Sequence, residues 1–127
     1  MAIVALGMDL IRIERLEQTI AKHGERFLER VFTDAEREYC ERHSSRLQHY
    51  AGRFAVKEAV MKVLGTGWTR GVRWRDIEVV RDRGGPPRVV LHGESAAIAE
   101  RLGITSILCS ITHDGGLAAA VAVAESV

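Results

Sequence analysis

The sequence predicts an α+β fold with a mostly antiparallel sheet, and three observations carry that expectation. Strand-like and helix-like stretches follow in the order strand, helices, two strands, helix, two strands, which lacks the regular βα alternation of a parallel sheet. A long helix over about 45–64 is flanked by shorter ones. Two final strands meet at Asp114-Gly115-Gly116, a strong hairpin signal. The length of 127 residues, with 46% hydrophobic and 28% charged residues, fits a single domain over residues 1–127 and excludes a disordered or low-complexity chain.

Along the chain, Ala2 to Leu6 reads as a short buried strand, an apolar run ended by Gly7. Ile13, Leu16 and Ile20 recur at helical spacing, with Gly24 as the stop, and Phe27, Leu28 and Val31 form a second short stripe. Thr33-Asp34-Ala35-Glu36 matches a capping box, so another helix starts there. On the long helix, Leu47, Tyr50, Ala51, Phe54 and Met61 share one face and Val56, Val60 and Val63 the opposite one, which predicts burial on two sides. Gly65 ends it. Ile77 and Val79, then Val89 and Leu91, read as strands separated by a turn over 82–87. A helix over about Ser95 to Leu102 stops at Gly103, and the last strands run about Ser106 to Thr112 and Leu117 to Ala124.

The formal net charge of +1 conceals an uneven distribution: −3 over 1–41, +7 over 42–88 and −3 over 89–127. A basic segment inside a neutral chain points to a local anion site rather than to a nucleic-acid surface. No apolar stretch reaches the ~18–20 residues that span a bilayer, and the apolar start has no basic residue before it, so the expectation is a cytoplasmic protein without membrane contact. Cys40 and Cys109 match no zinc or disulfide spacing and read as two buried, reduced thiols.

Three residues stand where packing alone would not put them. Glu58 falls at the centre of the Leu47, Ala51, Phe54 and Met61 stripe, and a buried carboxylate is paired or binds a metal. The plain alternative is an ion pair with Lys62, four residues on. Asp9 follows the first strand, where it is either a helix N-cap or, with Glu58, part of an oxygen-donor site for a hard cation such as Mg²⁺. His113 ends a strand beside the Asp-Gly-Gly turn, either facing a cleft or simply belonging to the turn. Gly65-Thr66-Gly67 offers backbone amides to a phosphate, or is only a helix stop, and it lacks the Lys-Ser/Thr ending of a P-loop. The remaining histidines, at 23, 43, 49 and 92, give no signal. Together these features point to a Mg²⁺-bridged pyrophosphate beside a basic helix.

Gly7-Met8-Asp9-Leu10 with Arg15, the block Gly52-Arg53-Phe54-Ala55-Val56-Lys57-Glu58-Ala59 continuing to Lys62 and Gly65-Thr66-Gly67, and Ser110-Ile111-Thr112-His113-Asp114 with the Ala-rich last strand together resemble the holo-acyl-carrier-protein synthases. These are 4′-phosphopantetheinyl transferases, and the resemblance covers nearly the whole chain. It implies the 4′-phosphopantetheinyl transferase fold and transfer of the phosphopantetheine arm of coenzyme A, the substrate, to a serine of apo acyl carrier protein in fatty acid biosynthesis, with release of adenosine 3′,5′-bisphosphate. It implies metal ligation by Asp9 and Glu58, with Mg²⁺ or Mn²⁺ as the ion. Catalysis falls to Glu58, Asp9 and Lys62, with Glu58, directly or through a metal-bound water, the preferred general base and Asp9 the second choice, between which the resemblance does not decide. Coenzyme A binding maps onto Arg53, Lys62, Gly65, Thr66, Gly67 and His113. Docking of the acidic carrier maps onto Arg15, Lys22 and Arg26, although Glu14, Glu17 and Glu25 interleave with them. The resemblance also implies a homotrimer with sites between subunits. The Asp-Gly-Gly turn after His113 and Trp68 after the glycine loop depart from the family pattern. A non-catalytic trimeric module binding coenzyme A or a nucleotide is the competing reading. An RNA-binding domain is a third, weakened by an aromatic content of only 6%.

Overall fold

A computed structural model describes residues 1–67, 69–82 and 84–127. Five strands and five helices follow in the order β1 (Ala2–Arg12), α1 (Ile13–His23), α2 (Glu25–Val31), α3 (Asp34–Glu41), α4 (Arg46–Leu64), β2 (Ile77–Arg81), β3 (Pro87–Leu91), α5 (Gly93–Arg101), β4 (Ser106–Asp114) and β5 (Leu117–Ser126). A 3₁₀ turn, Trp74–Asp76, leads into β2. The strands form one sheet in the order β1-β5-β4-β3-β2, and every pairing is antiparallel. The expected α+β class therefore holds, and α4 lies across one face of the sheet.

Local signals in the sequence act as their chemistry dictates. Thr33 caps α3 through its hydroxyl while the Glu36 carboxylate receives the Thr33 amide at 2.8 Å. Gly65 closes α4 in the left-handed region at φ 74°. Gly115 and Gly116, at φ 57° and 80°, form the two-residue turn between Asp114 and Leu117, a conformation that favours glycine. Residues 68 and 83 lie outside the described residues, so the departure at Trp68 and the middle of the 82–87 turn do too.

The first strand departs most from expectation. It continues through Gly7 to Arg12, so Gly7 is no stop: it sits opposite Ala122, where any Cβ would run into the Ala59 carbonyl. Glycine in a strand often marks such a close approach of another backbone. On α4, Gly52 makes the matching concession, since a Cβ there would press on Ile111 at 2.8 Å. Ala118, Ala120, Ala122 and Ala124 complete a floor of small residues under the helix, all 4% exposed or less. Nor is β1 a buried strand. Its large apolar side chains, Leu6, Met8 and Leu10, point away from α4 and are more than 60% exposed.

The buried-thiol expectation holds for Cys40, whereas Cys109 is half-buried, and both cysteines are free.

Candidate active site

Because β1 continues, Asp9 is a strand residue opposite Ala120 and not a helix cap; Arg12 holds the N-cap position of α1. Asp9 lies on the helix side of the sheet, the side of Gly7 and of the buried alanines. Lys62, in the last turn of α4, reaches down to it: the ammonium donates to Asp9 Oδ1 at 3.1 Å and to the Met8 carbonyl at 2.8 Å. Lys62 thus pairs with Asp9, and the expected Glu58–Lys62 ion pair is not among those of the described residues.

Glu58 is half-buried at the edge of the helix packing rather than directed into the core. Burial raises its pKa above the ordinary carboxylate range, and the negative charge of Asp9 raises it further; a hydrogen bond from the Trp74 side chain and the charge of Lys62 oppose this. The fully buried charge is next door. Lys57 is 0% exposed and donates to Glu36 Oε1 at 2.8 Å, to the Trp74 carbonyl at 3.0 Å and to the Ile77 carbonyl at 2.6 Å. Glu36 in turn receives the Val79 amide at 2.8 Å, so one ion pair ties α3, α4, the 3₁₀ turn and β2 together.

Two carboxylates that repel each other across β1 and α4 suit a hard cation that completes its shell with water and phosphate oxygens. Burial first and the Asp9 charge second raise the Glu58 pKa, and a cation between the two carboxylates would relieve the second of these, so the donor pair fits Mg²⁺. Among the described residues no group of three or more His, Cys, Asp or Glu could hold a metal alone.

The glycine loop offers fewer bare amides than its sequence implied. The Gly65 amide donates to the Lys62 carbonyl and that of Thr66 to the Met61 carbonyl, closing α4, while the Thr66 hydroxyl donates to the Gly67 carbonyl at 2.8 Å. Gly67 remains exposed beside them.

Arg53, in the middle of α4, and His113, on β4, both act electrostatically on His49 in the second turn of the helix. Arg53 is 2% exposed, with its guanidinium carbon 4.0 Å from the centre of the Tyr39 ring. His113 is exposed on β4 and acts electrostatically on His49 of α4. Among the described residues no hydrogen bond or ion pair joins this group to Asp9, Glu58 or Lys62. Arg15, Lys22 and Arg26 are exposed on α1 and α2.

A family model for the 4′-phosphopantetheinyl transferase superfamily matches residues 5–122. The chain belongs to the 4′-phosphopantetheinyl transferase superfamily. As a phosphopantetheinyl transferase it is an enzyme, and its relatives sharpen the class. It is 44% identical over 124 residues to the holo-acyl-carrier-protein synthase of Solibacter usitatus, covering 98% of this chain and 99% of that one. Its fold matches the crystal structure of the Neisseria meningitidis holo-acyl-carrier-protein synthase with a TM-score of 0.89 at 28% identity, covering 98% of this chain and all of that one. The Helicobacter pylori synthase, solved in complex with coenzyme A, matches at a TM-score of 0.81 and 32% identity, covering 94% of this chain and 99% of that one.

Sequence reasoning about this transferase missed two features. One is the Lys57–Glu36 pair; its signal was the capping box, which fixes Glu36, but nothing local showed that α4 would pass over it. The other is the ring cluster of Tyr39, His43 and His49 with Arg42, Arg53 and Arg81. Its traces were the +7 charge of segment 42–88 and Arg53 itself.

Proposed function

We propose that this transferase moves the 4′-phosphopantetheine arm of coenzyme A to a serine of apo acyl carrier protein, releasing adenosine 3′,5′-bisphosphate, as a step serving fatty acid biosynthesis in the cytoplasm. The observation that carries the reading is the convergence of Asp9, Glu58 and Lys62 from β1 and α4. Asp9 and Glu58 would hold Mg²⁺, which supplies charge neutralisation of the pyrophosphate when bound. Lys62, 57% exposed at its side chain and hydrogen-bonded to Asp9, turns part of its ammonium toward the same phosphates.

The carrier serine oxygen bonds to the phosphorus of the pantetheine phosphate as the bond to the bridging pyrophosphate oxygen breaks. Glu58 takes the serine proton, and the adenosine bisphosphate departs with the electron pair. Burial and the nearby Asp9 charge raise the Glu58 pKa, which suits a base, whereas the Asp9 carboxylate is engaged by the Lys62 ammonium, and this favours Glu58. The exposed Gly67 end of the Gly65 to Gly67 loop borders the pyrophosphate, and Arg53 and His113 serve the adenosine end. Arg15, Lys22 and Arg26 supply a basic rim for the acidic carrier, with effects mainly on association rate and salt dependence.

A homotrimer of single-domain chains fits this reading. Leu6, Met8, Leu10 and Leu108 stand exposed on the sheet face opposite α4, and the register sets Leu6 level with Val123 and Leu108 across three strands. A contiguous apolar surface of this kind marks an association site. That no hydrogen bond or ion pair joins Arg53 and His113 to Asp9, Glu58 or Lys62 among the described residues agrees with a site to which neighbouring subunits each contribute one part.

Incubation with apo acyl carrier protein, coenzyme A and Mg²⁺, followed by mass spectrometry of the carrier, tests the reading. The expected outcome is the gain of one phosphopantetheine arm, abolished by EDTA. An unmodified carrier would leave the non-catalytic binding module as the better description.

A further inference from the structure

A cleft of about 570 Å³ near the start of α4 is lined by Tyr39, Arg42, His43, Arg81, Asp82 and Gly84, and the His49 ring contacts two of these, Tyr39 and His43. The charge around it is unbalanced. None of Arg42, Arg53 and Arg81 takes part in an ion pair among the described residues, and Asp82, the carboxylate in the lining, is 3.5 Å from Arg88. Arg53 is buried, and its Nε, shielded from water, donates to nothing. A buried cation without a carboxylate partner calls for an anion.

The two imidazoles set a condition on that anion. The His43 and His49 rings lie 4.1 Å apart, and both contact Tyr39. His43 Nδ1 lies 2.7 Å from the Tyr39 carbonyl, an acceptor only, so Nδ1 carries the proton in this contact and a neutral His43 presents a lone pair on Nε2. A lone pair repels a phosphate oxygen, whereas an N–H donates to it. His49 faces Tyr39 of α3, His43 of the α3–α4 turn, Arg53 of its own helix, His113 of β4 and Arg81 of β2.

We propose that the His43–His49 pair is a proton-coupled anion-binding element, so that a phosphate monoester end of the coenzyme enters this cleft together with a proton taken up by the pair. This rests on the transferase reading above and assigns to these two histidines a role not given to them by sequence. Without an anion the surroundings disfavour a charge on His49: burial, then His43 and Arg53, lower its pKa to about 4. A phosphate between Arg42, Arg81 and the rings reverses the sign of that local field. The bound-state pKa of the pair then exceeds its free value, so affinity rises as pH falls through the bound-state value, with a limiting slope of about tenfold per pH unit for one proton.

Calorimetric titration with adenosine 3′,5′-bisphosphate near pH ~6.5, in two buffers of different ionisation heat, counts the protons taken up. The wild-type protein is expected to take up close to one proton more than His43→Gln and to show the steeper dependence of affinity on pH. Ionisation of the ligand's own phosphates is common to both proteins and cancels. Equal proton counts overturn the proposal. Imidazole Cε1–H resonances of the unmodified protein provide the second measurement, free of any folding defect in the variant: the titration midpoint of the pair is expected to rise when the nucleotide is added, and an unmoved midpoint also overturns the proposal. A carrier protein that is never modified defeats the transferase reading; a carrier that is modified with equal proton counts defeats this inference alone.

Discussion

Lys57 and Lys62 carry the same side chain on the same helix, five residues apart, and do opposite things. Lys57 is 0% exposed and spends its three donors on Glu36 and two backbone carbonyls, which leaves nothing for a ligand. Burial lowers its pKa, and Glu36 opposes that. Lys62 is more than half exposed, shares its charge with Asp9 and keeps a face toward solvent. A buried pair whose remaining polar atoms are satisfied organises a fold, whereas an exposed one contributes little stability and remains free for chemistry. The difference teaches that charge on a helix becomes architecture or function according to what the helix is laid against.

The sharpest break of this comparison falls between the two neighbours Lys57 and Glu58. Glu58→Gln keeps the Lys57 anchor and removes the proposed base, so transfer is expected to fall by at least ~10³-fold with coenzyme A binding partly retained, as read by carrier mass spectrometry beside calorimetry. Near-normal turnover would sink the assignment. Lys57→Met attacks the architecture instead: it leaves Glu36 buried without its cation and is expected to cost about 3–5 kcal/mol in urea unfolding. Adding Glu36→Gln to that variant should recover part of the loss.

Lys62→Ala is the counterpart. Its unfolding free energy should change by less than about 1 kcal/mol, while transfer drops on the order of 10²-fold. A variant that lost stability and kept its rate would invert the roles of the two lysines.

A smaller effect appears in acid. The folded-state pKa of His49, about 4, is depressed below its unfolded value of 6.5, so the unfolded chain binds a proton that the folded chain resists. Stability therefore declines as pH falls from the unfolded value toward the folded one. His49→Phe should flatten that decline by about 1–2 kcal/mol, allowing for partial exposure, as measured by urea midpoints across the window. The smallest change is expected for Arg15→Glu at the proposed carrier rim: weaker apparent affinity for carrier protein and a flatter salt dependence, with turnover at saturating carrier preserved. An unchanged salt dependence would place docking elsewhere.

Helical spacing already separated these residues. At 100° per position Glu58 and Lys62 lie 40° apart, while Lys57 lies 140° from Lys62. What the wheel left open was which face meets the sheet and which meets α3, because α4 has apolar residues on both sides. Asp9 was legible as a carboxylate out of place, but its setting was misread because Gly7 resembles a strand stop until Ala59 is known to lie against it. His43 and His49 give no signal in the sequence because polar neighbours conceal a stack formed across a helix–helix turn.

Sequence by itself determined the features that depend on a few consecutive residues: the Thr33–Glu36 capping box, the left-handed stop at Gly65, the Gly115-Gly116 hairpin and the two apolar faces of α4. These are short-range preferences of backbone dihedrals and local hydrogen bonds. Tertiary structure alone decided that Lys62 meets Asp9 from 53 positions away and that Lys57 meets Glu36 across 21. The energy of a charge depends on its distance to other charges and on the water around it, and both are set only when the sheet and α4 close on one another.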